Sequence, residues 1–239
     1  MSQIIITEKA SHAKNIIYVQ TCLSEMLSNV DCRIKSTECG DRAKITVDCP
    51  ESYYEVIKTE IAEMVSEVVT VGYKYDFLKK EVKVGGLNEE EKEILLTSLI
   101  AADFKEDKKW TFDRYIKEDE MSIDGVYNFR LLPLKKKWSE IASYMPSVFL
   151  SEQLKDFVTY LIENKTKRAF VDNGRVYDWR YKRLKRCNLL EYKGVKTVRE
   201  LLLSNCGEVE LSGKVDKEDE RYLKEFYGHK IIFTKDNYS

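Results

Sequence analysis

The pair Asn173-Gly174, set between two short apolar runs, constrains the fold of this 239-residue chain more than any other local feature. Asn and Gly adopt positive φ readily, and the common type I′ hairpin turn needs positive φ at both of its central positions. Apolar residues alternate with polar ones on either side of the pair, from Arg168 to Tyr177. This range is therefore predicted to form a β-hairpin, which places the residues around it within a folded domain.

The segment around the hairpin is strongly basic. From Lys165 to Arg199 the sequence holds twelve Lys or Arg residues and three acidic ones, although the whole chain has 40 Lys and Arg against 41 Asp and Glu. The rest of the chain must compensate, and residues 51–120 hold eighteen acidic and eleven basic residues. The candidate contacts for an anionic partner are Trp179, Arg180, Tyr181, Lys182, Arg183, Lys185 and Arg186.

Three interpretations of this stretch are open. Single-stranded nucleic acid is bound by positive charge for its phosphates and by aromatic faces for its bases, and the stretch offers both. Alternatively, Trp179, Tyr181 and Leu184 pack into the core while the cations form a solvated face that balances the acidic half. The third interpretation is docking onto an acidic protein partner, or self-association with the Glu-rich segment. The exposure of the two aromatic rings separates the second interpretation from the others.

The first third of the chain has the element order of a ferredoxin-like unit. Apolar residues at helical or alternating spacing predict a strand at 4–7, a helix over 10–29, strands at 31–38 and 43–48, and a helix over 51–69. The order β-α-β-β-α is a common way to cover one face of a small sheet with helices. The closing strand is expected at 68–71 or at 81–84.

Gly85-Gly86 is the strongest boundary signal in the chain. It divides the sequence into a ferredoxin-like N-terminal unit, residues 1–84, and residues 85–239, which comprise a helical segment and a mixed α/β C-terminal domain. Asn88 is expected to cap a helix that has Glu89, Glu90 and Glu91 in its first turn. The fold class predicted for the whole chain is α/β, of the α+β-like kind.

The C-terminal part is predicted to alternate helices and strands. Residues 125–134 fit a strand or the lead into a helix, and helices follow after Pro133 and between residues 146 and 164. Thr197 and Glu200 have the spacing of a capping box at the start of another helix. A strand at 208–211, a helix capped by Asp216 and a strand at 230–233 predict a parallel pair joined by a crossover helix.

The sequence carries little that suggests catalysis, a metal or a cofactor. The six cysteines form no C-x-x-C pair, and the only histidines are His12 and His229, so neither a zinc nor an iron–sulfur site is expected. No glycine-rich nucleotide loop or nucleophile elbow is present. Cys206 and His229 could meet in the fold, but no third group is evident to orient them. His12 is expected to be a hydrogen-bonded core histidine, and we expect no enzyme activity.

The location of the protein is expected to be cytoplasmic. The start of the chain lacks the basic region and the apolar length of a signal peptide, and no apolar run is long enough to span a bilayer. In a reducing compartment the cysteines are expected to be small buried hydrophobes, with a disulfide between Cys32 and Cys39 or Cys49 as the alternative. No membrane partner is expected.

Three groups of residues resemble a known family. They are the Phe129-Arg130-Leu131 segment followed by two helices, which include residues 152–158; the helix at 199–204 leading into a strand; and the closing helix–Gly–strand turn at 226–233. In their order these features resemble the YtxC family of sporulation proteins from endospore-forming Firmicutes. The family's closing cysteines have no counterpart in residues 234–239. The resemblance implies a sporulation association. We expect the protein to act by contact with a protein partner or in a homo-oligomer, rather than by catalysis. The alternative is a nucleic-acid-binding module that uses residues 179–186.

Overall fold

The computed structural model describes residues 2–234. The strands are β1 (Ser2–Lys9), β2 (Arg33–Cys39), β3 (Arg42–Cys49), β4 (Glu120–Ser122), β5 (Arg168–Asp172), β6 (Arg175–Tyr177), β7 (Glu208–Ser212) and β8 (Ile231–Phe233). The α-helices are α1 (Ala13–Met26), α2 (Tyr54–Glu67), α3 (Lys74–Glu81), α4 (Glu89–Tyr115), α5 (Ile123–Phe129), α6 (Leu132–Ser143), α7 (Ser151–Glu163), α8 (Lys196–Ser204) and α9 (Lys217–Tyr227). With two four-stranded sheets among these helices, the protein is α/β, as predicted.

The chain forms two compact units, and each is assembled from two segments. The first unit contains the residues up to Phe77 together with Lys105–Ile141, and the second contains Leu78–Phe104 together with the residues from Ala142 onward. The long helix α4 contributes residues to both units, which is why neither unit is one continuous stretch. The linear division at residues 84 and 85 stays a prediction.

The sheet of the first unit has the strand order β2-β3-β1-β4. β3 is antiparallel to both β1 and β2, and the register pairs Ile4 with Val47 and Ile6 with Ile45. These four side chains are buried beneath α1 and α2, which contact the two central strands and each other. The predicted order β-α-β-β-α is confirmed for this unit.

The fourth strand of this sheet is not where the sequence pattern placed it. β4 pairs with β1 in the parallel direction, whereas residues 68–71 belong to the fully buried π-helical segment Val68–Tyr73, and α3 ends at Glu81. Both predictions for this strand, 68–71 and 81–84, are therefore wrong. A short apolar run has the same composition in a buried strand and in a buried helix, so periodicity cannot separate the two.

The sheet of the second unit has the order β6-β5-β7-β8. β5 and β6 form the predicted antiparallel hairpin, in which Asn173 and Gly174 have φ values of 47° and 73°. β7 is parallel to both β5 and β8, so the predicted parallel pair with its crossover helix is confirmed. Helices α8 and α9 pack on the strands and on each other.

Of two helix caps predicted from the sequence, one is present and the other is not. Asn88 and Glu91 form a reciprocal cap at the start of α4, where each side chain accepts the other's backbone N–H at 2.9 Å. Thr197 and Glu200 form no capping box, because α8 begins at Lys196 and Asp219 accepts the N–H groups of Thr197 and Val198 instead.

Residues 123–129 are helical, so the strand alternative for 125–134 is wrong. Within residues 2–234 no helix has both the length and the hydropathy needed to cross a membrane.

Candidate nucleic-acid interface

The chain reverses direction directly after β6. Tyr181 N–H donates to the carbonyl of Asp178 at 2.9 Å, Asp178 N–H donates to the carbonyl of Lys182 at 3.0 Å, and Tyr181 has a φ of 61°. The Asp178 carboxylate also accepts the N–H groups of Arg180 and Lys182, at 2.8 and 2.9 Å. We call residues 178–183 the basic turn. Its backbone is fixed by hydrogen bonds that require no ligand.

The Trp179 ring lies on the surface and contacts two cations. It is 43% exposed, and the Lys167 ammonium and the Arg180 guanidinium lie 4.2 and 4.4 Å from its ring centroid. A cation over an indole face is attracted by the negative face of the ring. Trp179 therefore holds two long and otherwise mobile basic side chains next to one ring.

Tyr181 is also on the surface, where it is 69% exposed. One face of its ring stacks on Phe170 of β5, with centroids 4.2 Å apart and planes inclined by 20°. By contrast, Leu184 is buried. The interpretation that all three side chains pack into the core is therefore wrong for Trp179 and Tyr181. It is confirmed only for Leu184.

The seven candidate residues are only partly brought together. Arg180, Lys182 and Arg183 are exposed on the basic turn, where Arg180 contacts the Trp179 ring, and Lys185 is half-buried just beyond the turn. Arg186 is committed elsewhere: its guanidinium donates to the carbonyl of Leu203 at 2.8 Å and lies 4.7 Å from the ring centroid of Phe104. Its place in the sequence among exposed cations gave no sign of this structural role.

Two residues of the site were missed at the level of sequence. Phe170 faces the same side of the sheet as Tyr177, its register partner, and provides the support for Tyr181. Lys167 lies just before β5 and reaches Trp179. Alternation along the hairpin assigns Phe170 to the side opposite the buried Ala169 and Val171, so that signal was present in the sequence.

The neighbouring sheet surface differs in charge from the basic turn. Arg168 donates to Glu208 at 3.1 Å and to Glu210 at 3.4 Å, so this part of the open face is balanced by ion pairs. Arg180, Lys182 and Arg183 of the basic turn and Lys167 are exposed cations. Positive charge and aromatic surface thus coincide at one end of the β5–β6 hairpin.

The first unit contains a buried polar cluster around Glu8. The Glu8 carboxylate is fully buried and accepts hydrogen bonds from the Tyr73 hydroxyl at 2.9 Å and from the Asn15 amide at 3.0 Å. His12 Nδ1 lies 2.9 Å from the Tyr73 oxygen, so His12 is hydrogen-bonded as predicted, although its side chain is 36% exposed. Burial and the neighbouring Glu8 raise the pKa of Tyr73 far above its usual value, which keeps the hydroxyl protonated.

The two cysteines of the second unit, Cys187 and Cys206, are not activated thiols. Burial raises the pKa of Cys187 and of Cys206, and raised thiol pKa values disfavour the nucleophilic thiolate. The Cys206 Sγ contacts the carbonyl of Ser204, and within residues 2–234 no hydrogen bond joins Cys206 to His229. Cys32, Cys39 and Cys49 are not in disulfides, so that alternative is wrong. The expected burial is confirmed for Cys49, Cys187 and Cys206 and is wrong for the other three, because Cys22 and Cys32 are half-buried and Cys39 is exposed. In the described part of the chain, no group of three or more His, Cys, Asp or Glu side chains is arranged to hold a metal ion.

Comparisons of this chain with family models, with curated proteins and with solved structures find no match. Function is therefore inferred from the geometry of the basic turn. The basic turn is a surface with a fixed backbone, exposed aromatic rings and a local excess of cations. Such a surface suits an extended anionic ligand that has flat, apolar groups.

Proposed function

We propose that this protein binds single-stranded nucleic acid through the basic turn. The observation that carries the proposal is the exposed Tyr181 ring, which is backed by Phe170 and lies two residues from a tryptophan flanked by two cations. A solvent-exposed ring with one supported face and one open face is a platform on which a base can stack. Such stacking contributes about 1–3 kcal/mol per base.

The two aromatic residues have different roles in this proposal. The open face of Tyr181 takes a base, because its other face is covered by Phe170. Trp179 acts mainly through the cations it holds, since the Lys167 ammonium and the Arg180 guanidinium both lie against its ring. These two cations are placed to meet a phosphate next to the stacked base. The site therefore recognises a nucleotide by its backbone charge and by its aromatic face.

Single strands suit this site better than duplexes do. Bases in a duplex stack on each other, and their faces become available to a protein ring only after they are unstacked. Reading a duplex through its major groove requires an α-helix or a two-stranded ribbon that enters the groove. Here the turn presents ring faces beside cations, and β6 is only three residues long.

The rigidity of the turn supports binding by lowering its entropic cost. Ordering a flexible, rotamer-rich side chain costs about 0.5–1.5 kcal/mol on association. The Asp178 hydrogen bonds fix the turn, and stacking on Phe170 orients Tyr181 before any ligand arrives. The geometry needed for stacking therefore exists in the free protein.

The test is fluorescence anisotropy with labelled oligonucleotides. Single-stranded DNA and RNA of mixed sequence, and the matching duplex, are titrated at low and moderate salt. We expect single strands to bind more tightly than the duplex, with an affinity that falls steeply as salt rises, because phosphate contacts release counterions. Tyr181→Ala is expected to weaken binding roughly tenfold or more, in line with the loss of one stacked base. The Arg180→Glu, Arg183→Glu double variant should abolish it.

The matched control is Tyr160→Ala. Tyr160 lies on α7 and is 66% exposed, so Tyr160→Ala removes a ring of similar exposure away from the basic turn. Its variant should bind like the wild type. The proposal fails if no oligonucleotide binds at low salt, or if Tyr160→Ala and Tyr181→Ala weaken binding equally.

A protein-contact function of the YtxC-like, sporulation-associated kind is the second candidate. It is favoured by the exposed apolar side chains of Tyr144, Val148 and Leu150, which fall within seven consecutive residues of the second unit. Under this alternative the protein acts in the cytoplasm on a partner protein, without catalysis. A pull-down from sporulating cells should then recover one defined partner with the wild type and with the Arg180, Arg183 reversal, but not with Tyr144→Ser, Leu150→Ser.

A further inference from the structure

A groove of about 440 Å³ opens in the first unit between the second half of α4 and the start of α6. Its volume is within the range of about 300–1,000 Å³ that small-molecule sites occupy. One wall carries Glu106, Trp110 and Asp113 of α4, and the facing wall includes Pro133 and Leu134 of α6. No part of the proposed nucleic-acid interface contributes to this groove.

The α4 wall is acidic at both ends and aromatic in the middle. Glu106, Trp110 and Asp113 are spaced by four and three residues, so they lie on one face of the helix. Seven residues correspond to about 10 Å along the helix axis, which separates the two carboxylates by roughly that distance. An extended ligand with positive charge at two points along an apolar chain matches this spacing.

One end of the groove already binds an alkyl ammonium. The Lys137 Nζ lies 3.1 Å from a Glu106 oxygen and 3.1 Å from a carboxylate oxygen of Asp107. Asp107 is 1% exposed, and its other oxygen accepts hydrogen bonds from Lys74 at 2.7 Å and from the Trp138 indole N–H at 2.9 Å. The buried partners fix the Asp107 carboxylate, whereas Lys137 approaches it from the half-exposed side.

The middle of the groove offers an indole that interacts with cations. The Arg114 guanidinium lies 4.6 Å from the Trp110 ring centroid, and Arg114 does not line the groove. Pro133 and Leu134 line the groove together with the indole, and this apolar surface suits methylene groups. At the far end Asp113 is exposed and forms no ion pair with any residue in 2–234, and Lys109, one turn before it on α4, also lines the groove.

We propose that this groove binds a linear organic polycation of the polyamine class. One ligand ammonium replaces that of Lys137 between Glu106 and Asp107, the methylene chain lies along Trp110 against Pro133 and Leu134, and a second ammonium meets Asp113. Lys137 then acts as an internal occupant that competes with the ligand. The inference is independent of nucleic-acid binding, because every residue involved belongs to the first unit.

The test is isothermal titration calorimetry with spermidine and, as a single-charge comparison, 1-aminobutane. The wild type should bind spermidine more tightly than 1-aminobutane, and Asp113→Asn should reduce that preference. Lys137→Met should bind spermidine roughly tenfold more tightly than the wild type, because it keeps the side-chain length and removes the competing ammonium. Lys136→Met is the matched control, since Lys136 is an exposed neighbour on α6 that does not line the groove.

Three outcomes overturn the proposal. The first is the absence of spermidine binding to both the wild type and Lys137→Met at low salt. The second is an equal gain in affinity for Lys137→Met and Lys136→Met, which would indicate general charge attraction. The third is an Asp113→Asn variant that prefers spermidine over 1-aminobutane as strongly as the wild type does. Circular dichroism of each variant confirms that it is folded.

Discussion

The Tyr181 ring lies against the Phe170 ring with centroids 4.2 Å apart and planes inclined by 20°. Phe170 is the central residue of β5, and its backbone is paired with β6 on one side and with β7 on the other. The platform for the proposed base is therefore held by the sheet as well as by the turn. This relationship explains how a residue in a surface turn can present a fixed aromatic face.

Replacing Tyr181 by Asn should separate binding from stability. Tyr181 has a φ of 61°, which Asn adopts more readily than Tyr, so the relief of backbone strain offsets the lost stacking. We expect the free energy of unfolding to change by less than about 1 kcal/mol, whereas single-strand binding weakens roughly tenfold or more, as for Tyr181→Ala. Urea unfolding and oligonucleotide anisotropy measure the two effects. Tyr181→Phe keeps the ring and should bind like the wild type; if it binds as poorly as Tyr181→Asn, stacking is not the interaction that matters.

Replacing Asp178 by Ala should weaken nucleic-acid binding although it makes the protein more positive. The Asp178 carboxylate accepts two backbone N–H groups of the turn, so its removal loosens the geometry of both rings. We expect a several-fold loss of affinity, since ordering the turn then adds to the cost of binding. Asp172→Ala is the control, because it removes an exposed carboxylate of the same hairpin but leaves the Asp178 hydrogen bonds of the basic turn in place. Simple charge attraction predicts the opposite for Asp178→Ala, namely tighter binding.

The parts of the fold that sequence predicted are those in which local chemistry dominates. Asn173-Gly174 favours a hairpin because both residues accept positive φ, and Asn88 with Glu91 caps a helix through contacts only three residues apart. β4 could not be found this way. It is three residues long, and its strand identity comes from pairing with β1, more than a hundred residues earlier.

The sequence predicted where the candidate site lies, but not which of its side chains are exposed. Composition identified the basic-aromatic stretch, but exposure is decided by tertiary packing, which placed Tyr181 outside and Leu184 inside. Arg186 looks the same as Arg183 in the sequence. It differs because Phe104 and the Leu203 carbonyl, both distant in the chain, provide its contacts.

Arg183 and Arg186 should therefore respond differently to the same substitution. Arg186→Gln removes a half-buried guanidinium from the Leu203 carbonyl and from the Phe104 ring, and we expect a loss of about 1–3 kcal/mol in the free energy of unfolding. Arg183→Gln should change stability by less than about 0.5 kcal/mol, as exposed substitutions usually do, and should weaken oligonucleotide binding. Urea unfolding and anisotropy on both variants test this. Equal stability losses would contradict the structural role assigned to Arg186.

The effect of Glu200→Gln should depend on pH. Glu200 is buried on α8, and its two carboxylate oxygens accept the backbone N–H groups of Arg186 and Cys187, both at 2.8 Å. Burial raises the pKa of this carboxyl above its ordinary value, and the two hydrogen bonds and Arg186 only partly oppose that rise. A carboxyl whose pKa is higher in the folded than in the unfolded state binds more protons when folded. Its contribution to stability is therefore complete below the unfolded pKa, about 4.3, and is lost as pH rises through the folded pKa.

The Gln amide does not titrate, so the difference between the wild type and Glu200→Gln isolates this one group. At pH 4 the variant should be less stable by about 1–3 kcal/mol, because the amide has a single acceptor oxygen for two backbone donors. As pH rises from 4 to 8 the wild type loses the contribution of the protonated carboxyl, and the difference should shrink. Urea unfolding across this range measures it, with the exposed Glu225→Gln as the charge-matched control. A difference that grows with pH would mean that the backbone N–H groups, rather than burial, govern the Glu200 carboxyl.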